Sequence, residues 1–214
     1  MQNTLDKITQ MKLIPVVAIQ DAGHSDRLAD ALIAGGLPCA EITFRTAAAQ
    51  DAVGNLAKRG DMLVGAGTVL TVDQAKAAID AGATFIVAPG FNPKVVRYCL
   101  GQNIPMTPGV ATPTDIEAAM EMGLEMLKFF PAEALGGIKT LKAISAPYTK
   151  ARFIPTGGIN TGNVVQYLKH PSVVACGGSW MVTSALIADE QFDRITSLTR
   201  EAVTLVKNLY NENK

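Results

Sequence analysis

The sequence predicts an α/β protein, a single-domain (β/α)8 (TIM) barrel, on three observations. Short apolar runs centred near Val17, Ala40, Val64, Ile86, Met106, Leu127, Phe153 and Val174 recur roughly every 20–26 residues, the length of one βα unit. These runs are apolar nearly throughout, as strands are when helices cover a parallel sheet on both sides. Between them lie segments of helical periodicity, many opened by a capping residue or closed by glycine.

Taken in order, Met1–Gln10 reads as a short helix with Leu5 and Ile8 on one side. The run Leu13–Ile19 is the first strand, with Pro15 marking its beginning or an imperfectly paired stretch. Ser25 can cap a helix through Ala34, ended by Gly35-Gly36. Pro38–Arg45 is the second strand and Ala47–Lys58 its helix. Met62–Ala66 with Thr71–Ala81 forms the third unit, Phe85–Ala88 with Pro93–Leu100 the fourth, and Pro105–Thr107 with Pro113–Met122 the fifth. Glu125–Phe130 is the sixth strand, stopped at once by Pro131, with a helix near Ile138–Ser145. Arg152–Pro155 and Thr161–Leu168 make the seventh unit, and Val173–Cys176 is the last strand before a longer helix over Ile187–Asn208. One domain, residues 1–214, accommodates all of this without a linker or low-complexity segment. An open doubly wound sheet is the structural alternative, but no G-x-G-x-x-G follows the first strand.

The charge balance narrows the function. Lys plus Arg and Asp plus Glu number 19 each, so there is no electrostatic case for nucleic acid or an anionic membrane as partner. Cys39, Cys99 and Cys176 lie in separate apolar segments with no CxxC spacing and read as reduced core residues of a cytosolic protein. Met1–Lys12 is polar and mixed in charge, unlike a signal peptide. No apolar run approaches the roughly 20 residues that span a bilayer. The acidic residues form no metal cluster, so chemistry without metal or cofactor in a cytoplasmic protein is expected.

Barrels of this class carry their sites at the carboxyl ends of the strands, and here glycine and proline crowd that rim. In Glu125–Glu133 a single lysine, Lys128, interrupts an apolar run and shares a strand face with Phe130. A buried ammonium is costly unless paired, and a desolvated lysine at a strand end suits Schiff-base chemistry. The alternative is a lysine whose head reaches water or pairs structurally with a carboxylate. On the second strand Glu41, Thr43 and Arg45 share one face. If that face is the barrel interior, Glu41 can converge with Lys128 as a proton carrier, and the Arg45 guanidinium can take a substrate carboxylate in fork fashion; a structural ion pair is the alternative. Thr68 offers a second carboxylate donor or a helix cap. Gly157-Gly158 and Gly177-Gly178-Ser179, after strands seven and eight, suit a phosphate, although glycine pairs also simply make turns. His24 and His170 read as surface histidines and Trp180 as a packing residue.

Together, Glu41-Ile42-Thr43-Phe44-Arg45-Thr46, Gly65-Ala66-Gly67-Thr68-Val69, Lys128-Phe129-Phe130-Pro131-Ala132-Glu133, Pro155-Thr156-Gly157-Gly158-Ile159 and Gly177-Gly178-Ser179-Trp180 resemble the 2-keto-3-deoxy-6-phosphogluconate (KDPG) aldolase family. Its bifunctional members also cleave 4-hydroxy-2-oxoglutarate. The resemblance implies a trimeric, cytoplasmic class I aldolase of the Entner–Doudoroff route, yielding pyruvate and glyceraldehyde 3-phosphate. It makes Lys128 the Schiff-base nucleophile and Glu41 the general acid/base, acting through a water. It assigns the pyruvate carboxylate to Arg45 and Thr68, and the pyruvate pocket to Pro89 and Phe130. Thr156 takes the substrate hydroxyl or aldehyde oxygen, and Gly157, Gly158, Gly178 and Ser179 take the phosphate. Three features depart from the family pattern: Phe44 stands in place of leucine, Leu135 in place of asparagine, and the loop Gln20–His24 lacks basic residues. An aldolase acting mainly on non-phosphorylated substrates, a non-catalytic phosphosugar-binding barrel and an isomerase using Glu41 alone are the other readings.

Overall fold

Runs of β-branched and small apolar residues set the strands. Leu13–Val17 (β1), Cys39–Thr43 (β2), Leu63–Gly67 (β3) and Phe85–Val87 (β4) are buried almost throughout, so each is covered on both faces. A computed structural model of the chain describes residues 1–211, so the last three residues of the predicted domain lie outside the described residues. In chain order α1 (Gln2–Met11) precedes β1, and α2 (Ser25–Ala34), α3 (Ala49–Arg59) and α4 (Val72–Asp80) separate the next strands. After β4 come α5 (Pro93–Gly101), β5 (Met106–Thr107), β6 (Gly109–Val110), α6 (Pro113–Glu121), β7 (Met126–Phe129), α7 (Gly137–Ser145) and β8 (Arg152–Pro155). The chain ends in α8 (Val164–Leu168), β9 (Cys176–Gly178), α9 (Ser184–Ala188) and α10 (Phe192–Asn211).

All strand pairs are parallel. One sheet runs β5-β4-β3-β2-β1-β9 and a second β6-β7-β8. The result is a single α/β domain on a curled parallel sheet whose main part has six strands, and the expectation of eight regular strands is met only in part. Two local causes account for the difference. Pro108 has no N–H to give to a ladder and separates β5, which pairs with β4, from β6, which pairs with β7. The predicted strand Val173–Cys176 begins regular pairing only at Cys176, because Val173 N–H closes a turn onto the His170 carbonyl at 2.9 Å. Single bridges, Phe153 to Val173 and Thr156 to Gly177, connect that stretch with β8.

The predicted helix Ile187–Asn208 is two helices. Glu190 adopts a left-handed φ of 53° between them, and its carboxylate meets Arg27 at 2.6 Å and His24 at 3.4 Å. A 3-10 turn over Ala22–His24, absent from the sequence expectation, follows β1. Pro15 lies inside β1, opposite Gly178 of β9.

A compact apolar cluster of Ile8, Ile14, Cys39, Leu63, Phe85, Val87, Ile154 and Ala175 gathers side chains from α1, from β1 to β4, from β8 and from the approach to β9. Cys39 shares its strand face with Glu41 and Thr43, so the polar side chains of β2 continue that cluster toward the carboxyl end of the strands. Ile154 of the same cluster is the registered neighbour of Lys128, which turns Lys128 to the same side. Among the described residues no helix is long and apolar enough to cross a membrane.

Candidate active site

The register of β2 and β7 brings two charges together in a dry setting. Glu41 and Lys128 are 2 % and 5 % exposed, and Lys128 Nζ donates to Glu41 Oε1 at 3.4 Å. A buried charge without a partner is strongly unfavourable, so each group makes the other tolerable. The contact is at the long end for a hydrogen bond. The Lys128 ammonium also lies 5.1 Å from the centre of the Phe130 ring, on the face the strand alternation predicts.

The other predicted residues are placed around this pair to different degrees. Thr43 Oγ1 donates to the Val17 carbonyl at 2.7 Å and accepts from Arg45 Nε at 3.2 Å, so Thr43 tethers the exposed Arg45 to the rim. A Cβ on Gly109 would lie 2.0 Å from the Pro89 carbonyl, and Gly109 is the registered neighbour of Lys128, which sets Pro89 beside the pair. The Phe130 ring reaches Gly157, and Thr156 packs against Gly177, so the ends of β7, β8 and β9 meet there. Gly157 and Gly158 have φ of 95° and 81°, a backbone open to glycine alone without strain. The Gly158 carbonyl is held by the side-chain amides of Asn160 and Asn163 at 3.1 and 3.0 Å. Ser179 is exposed beside Gly178, and Trp180 packs on Gly178 so closely that no Cβ fits there. Thr68 is half-buried at the end of β3 with φ of 56°, and it is Thr71 that caps α4 by accepting from Gln74 N–H. Among the described residues no group of three His, Cys, Asp or Glu side chains is placed to hold a metal ion. A cavity of about 490 Å³ at the other end of β1 and β2 carries Lys7, Lys12 and Lys207 and, among the described residues, no carboxylate to serve a lysine as acid–base partner.

A family model for KDPG and KHG aldolases matches residues 5–198. The chain belongs to that family. It is 48 % identical over 202 residues to the 2-dehydro-3-deoxy-phosphogluconate aldolase of Treponema pallidum, covering 94 % of this chain and 96 % of that protein. Its fold matches the KDPG aldolase of Legionella pneumophila, solved with pyruvate captured as a covalent carbinolamine, at a TM-score of 0.89 and 38 % identity over 92 % of this chain and 97 % of that one. The aldolase of Zymomonas mobilis solved with 3-phosphoglycerate gives a TM-score of 0.89 and 35 % identity over 96 % and 97 %.

Within this KDPG/KHG aldolase, two site features escaped the sequence reading. Gly67 is one: a Cβ there would lie 2.1 Å from Glu41 Oε1, so the glycine makes room for the carboxylate. It is the partner of Thr43 across β2 and β3, a register no single strand reveals. The other is the hydrogen bond from Tyr167 Oη to Glu133 Oε1, which joins the loop after β7 to α8. Glu133 was visible in the lysine motif, but nothing in the sequence marks Tyr167 as its donor.

Proposed function

We propose that this chain is a class I aldolase that cleaves 2-keto-3-deoxy-6-phosphogluconate to pyruvate and glyceraldehyde 3-phosphate. The observation that carries the reading is the buried Lys128–Glu41 pair, a nucleophile and a proton carrier within reach of one substrate carbon chain. Glu41 takes a proton from the ammonium, and Lys128 Nζ adds to the C2 ketone. Glu41 returns that proton to the carbinolamine hydroxyl, which leaves as water to give a protonated imine and restores the Glu41 carboxylate. Glu41 removes the C4 hydroxyl proton, directly or through a water. The C3–C4 bond breaks, its electron pair passes into the imine as an enamine, and the aldehyde leaves. Reprotonation at C3 and hydrolysis release pyruvate and restore Lys128. A positioned proton-transfer group of this kind contributes about 10²–10⁴-fold.

Arg45 and Thr68 hold the pyruvate carboxylate in this reading, and Pro89 with Phe130 lines the pyruvate pocket. Thr156 meets the hydroxyl or aldehyde oxygen. The backbone N–H groups of Gly157, Gly158 and Gly178, with the Ser179 hydroxyl, take the phosphate. Support comes from the left-handed turn at Gly157-Gly158, which leaves backbone N–H groups available for an anion. In this reading the sheet closes into an eight-stranded barrel; support comes from the chain around Pro108, which belongs to both sheets, and from the single bridges that link β8 and the residue after it to the stretch ending in β9. A cytoplasmic homotrimer goes with the family resemblance, and light scattering that returns the mass of one chain would remove the trimer.

The family description covers KHG as well as KDPG, which favours 4-hydroxy-2-oxoglutarate as a second substrate. The deciding experiment is reduction with borohydride in the presence of pyruvate, followed by peptide mapping. The expected result is a permanent adduct on Lys128 and near-complete loss of cleavage in Lys128→Ala. An unmodified Lys128 under conditions that label a known class I aldolase overturns the reading. Ser179→Asp should raise the KM for the phosphorylated substrate only.

A further inference from the structure

Glu133 lies outside the set of groups that the reaction needs, yet it touches the Gly157-Gly158 turn, the start of α7 and α8. Its backbone N–H donates to the Gly157 carbonyl at 3.1 Å, and Ala132 N–H beside it donates to the Thr156 carbonyl at 2.8 Å. Its side chain lies against Gly158, where an added Cβ would come within 2.6 Å of Glu133 Cβ and Cγ. Its carboxylate accepts from Tyr167 Oη at the start of α7, close to Gly137. Tyr167 is fully buried on α8, the helix that the chain enters after leaving Gly157-Gly158 and the two asparagines that grip the Gly158 carbonyl. The segment from Gly157 to Tyr167 is therefore a strap pinned at both ends to Glu133.

We propose that Glu133 and Tyr167 form a positioning pair that holds the Gly157-Gly158 turn in its phosphate-receiving conformation and so sets the preference for phosphorylated over non-phosphorylated 2-keto acids. The inference rests on the phosphate assignment made above and adds the residues that fix it. Two physical points support it. A turn with two successive left-handed residues is not held by a ladder, so its shape depends on what ties its flanks. A carboxylate set loose beside a phosphate loop repels the ligand, whereas the phenol donor and the start of α7 keep it engaged. Burial, and then the Glu133 contact, hold the Tyr167 phenol above the ordinary tyrosine range, so it stays a donor at neutral pH.

Tyr167→Phe removes the O–H and keeps the ring. Its KM for 2-keto-3-deoxy-6-phosphogluconate should rise about tenfold, with inhibition by inorganic phosphate weakened to match. The kcat, the KM for 4-hydroxy-2-oxoglutarate and the rate of pyruvate trapping on Lys128 should stay within about twofold. Glu133→Gln, which keeps an acceptor for the phenol, should fall between the wild type and Tyr167→Phe, and it serves alone if Tyr167→Phe does not fold. Equal changes for both substrates, or none for either, overturn the proposal. A wild-type enzyme that traps pyruvate but ignores inorganic phosphate overturns the phosphate assignment itself, a result distinguishable from an unaltered variant of a phosphate-sensitive enzyme.

Discussion

Lys128 meets Glu41 across 87 residues of sequence because β7 and β2 turn the same face to one interior. The lysine was legible as a charge in an apolar run, and the carboxylate as one member of an alternating polar row. Their distance was not legible, since it depends on the registers that place Gly109 beside Lys128 and Gly65 beside Glu41. The space for the carboxylate was hidden for the same reason: Gly67 counted only among the glycines crowding the rim and is a steric requirement of a side chain on the next strand. Thr43 was grouped with the ligand-binding row, but its hydroxyl is committed to the Val17 carbonyl. Gly67→Ala should displace Glu41 and lower the kcat for cleavage by about 10²-fold, within the range of a lost proton-transfer group. Circular dichroism should stay unchanged and borohydride should still trap pyruvate on Lys128. Wild-type cleavage by Gly67→Ala would show that the carboxylate does not need its observed position.

At the scale of elements, the sequence reading worked where local chemistry decides and failed where tertiary pairing does. Helices bounded by threonine, proline and glycine came out within a few residues; α6 opens with Pro113 after Thr112, whose side chain accepts from Asp115 N–H while Asp115 returns the bond to Thr112 N–H. Thr112→Ala removes half of that reciprocal cap and should cost about 1 kcal/mol in urea unfolding, with the denaturant slope unchanged. The strand Gly109–Val110 was missed because the sequence reading ends the fifth strand at Thr107, and only the pairing with β7 shows that the chain resumes a ladder after Pro108. The split of the last helix was missed because nothing in the run around Glu190 is a strong breaker. That residue takes a left-handed conformation while its carboxylate holds Arg27 and His24.

For the whole molecule, the three cysteines behave as expected: all are unpaired and buried. Burial pushes the Cys99 thiol up to about 11 from an ordinary 9.0, and raises Cys39 and Cys176 as well. A thiol whose folded pKa is raised contributes stability that is complete below its unfolded value and is lost as pH climbs toward the folded one. Stability should therefore decline between about pH 9 and 11, and the native chain should resist thiol reagents until it unfolds. Replacing the three cysteines by alanine should flatten that alkaline limb; an unchanged limb would assign it to other groups. The pairing of Leu13, Ile14 and Pro15 with Cys176, Gly177 and Gly178 has a further consequence during synthesis. A ribosome must release most of the chain before the first strand meets its second neighbour. Until then one edge of β1 presents unpaired N–H and C=O groups, a template on which strands of other chains can add. Contacts so distant in sequence also slow folding. The nascent protein is thus most in need of chaperone protection while its middle is being translated, and it sheds that need once the segment through Gly178 has left the exit tunnel.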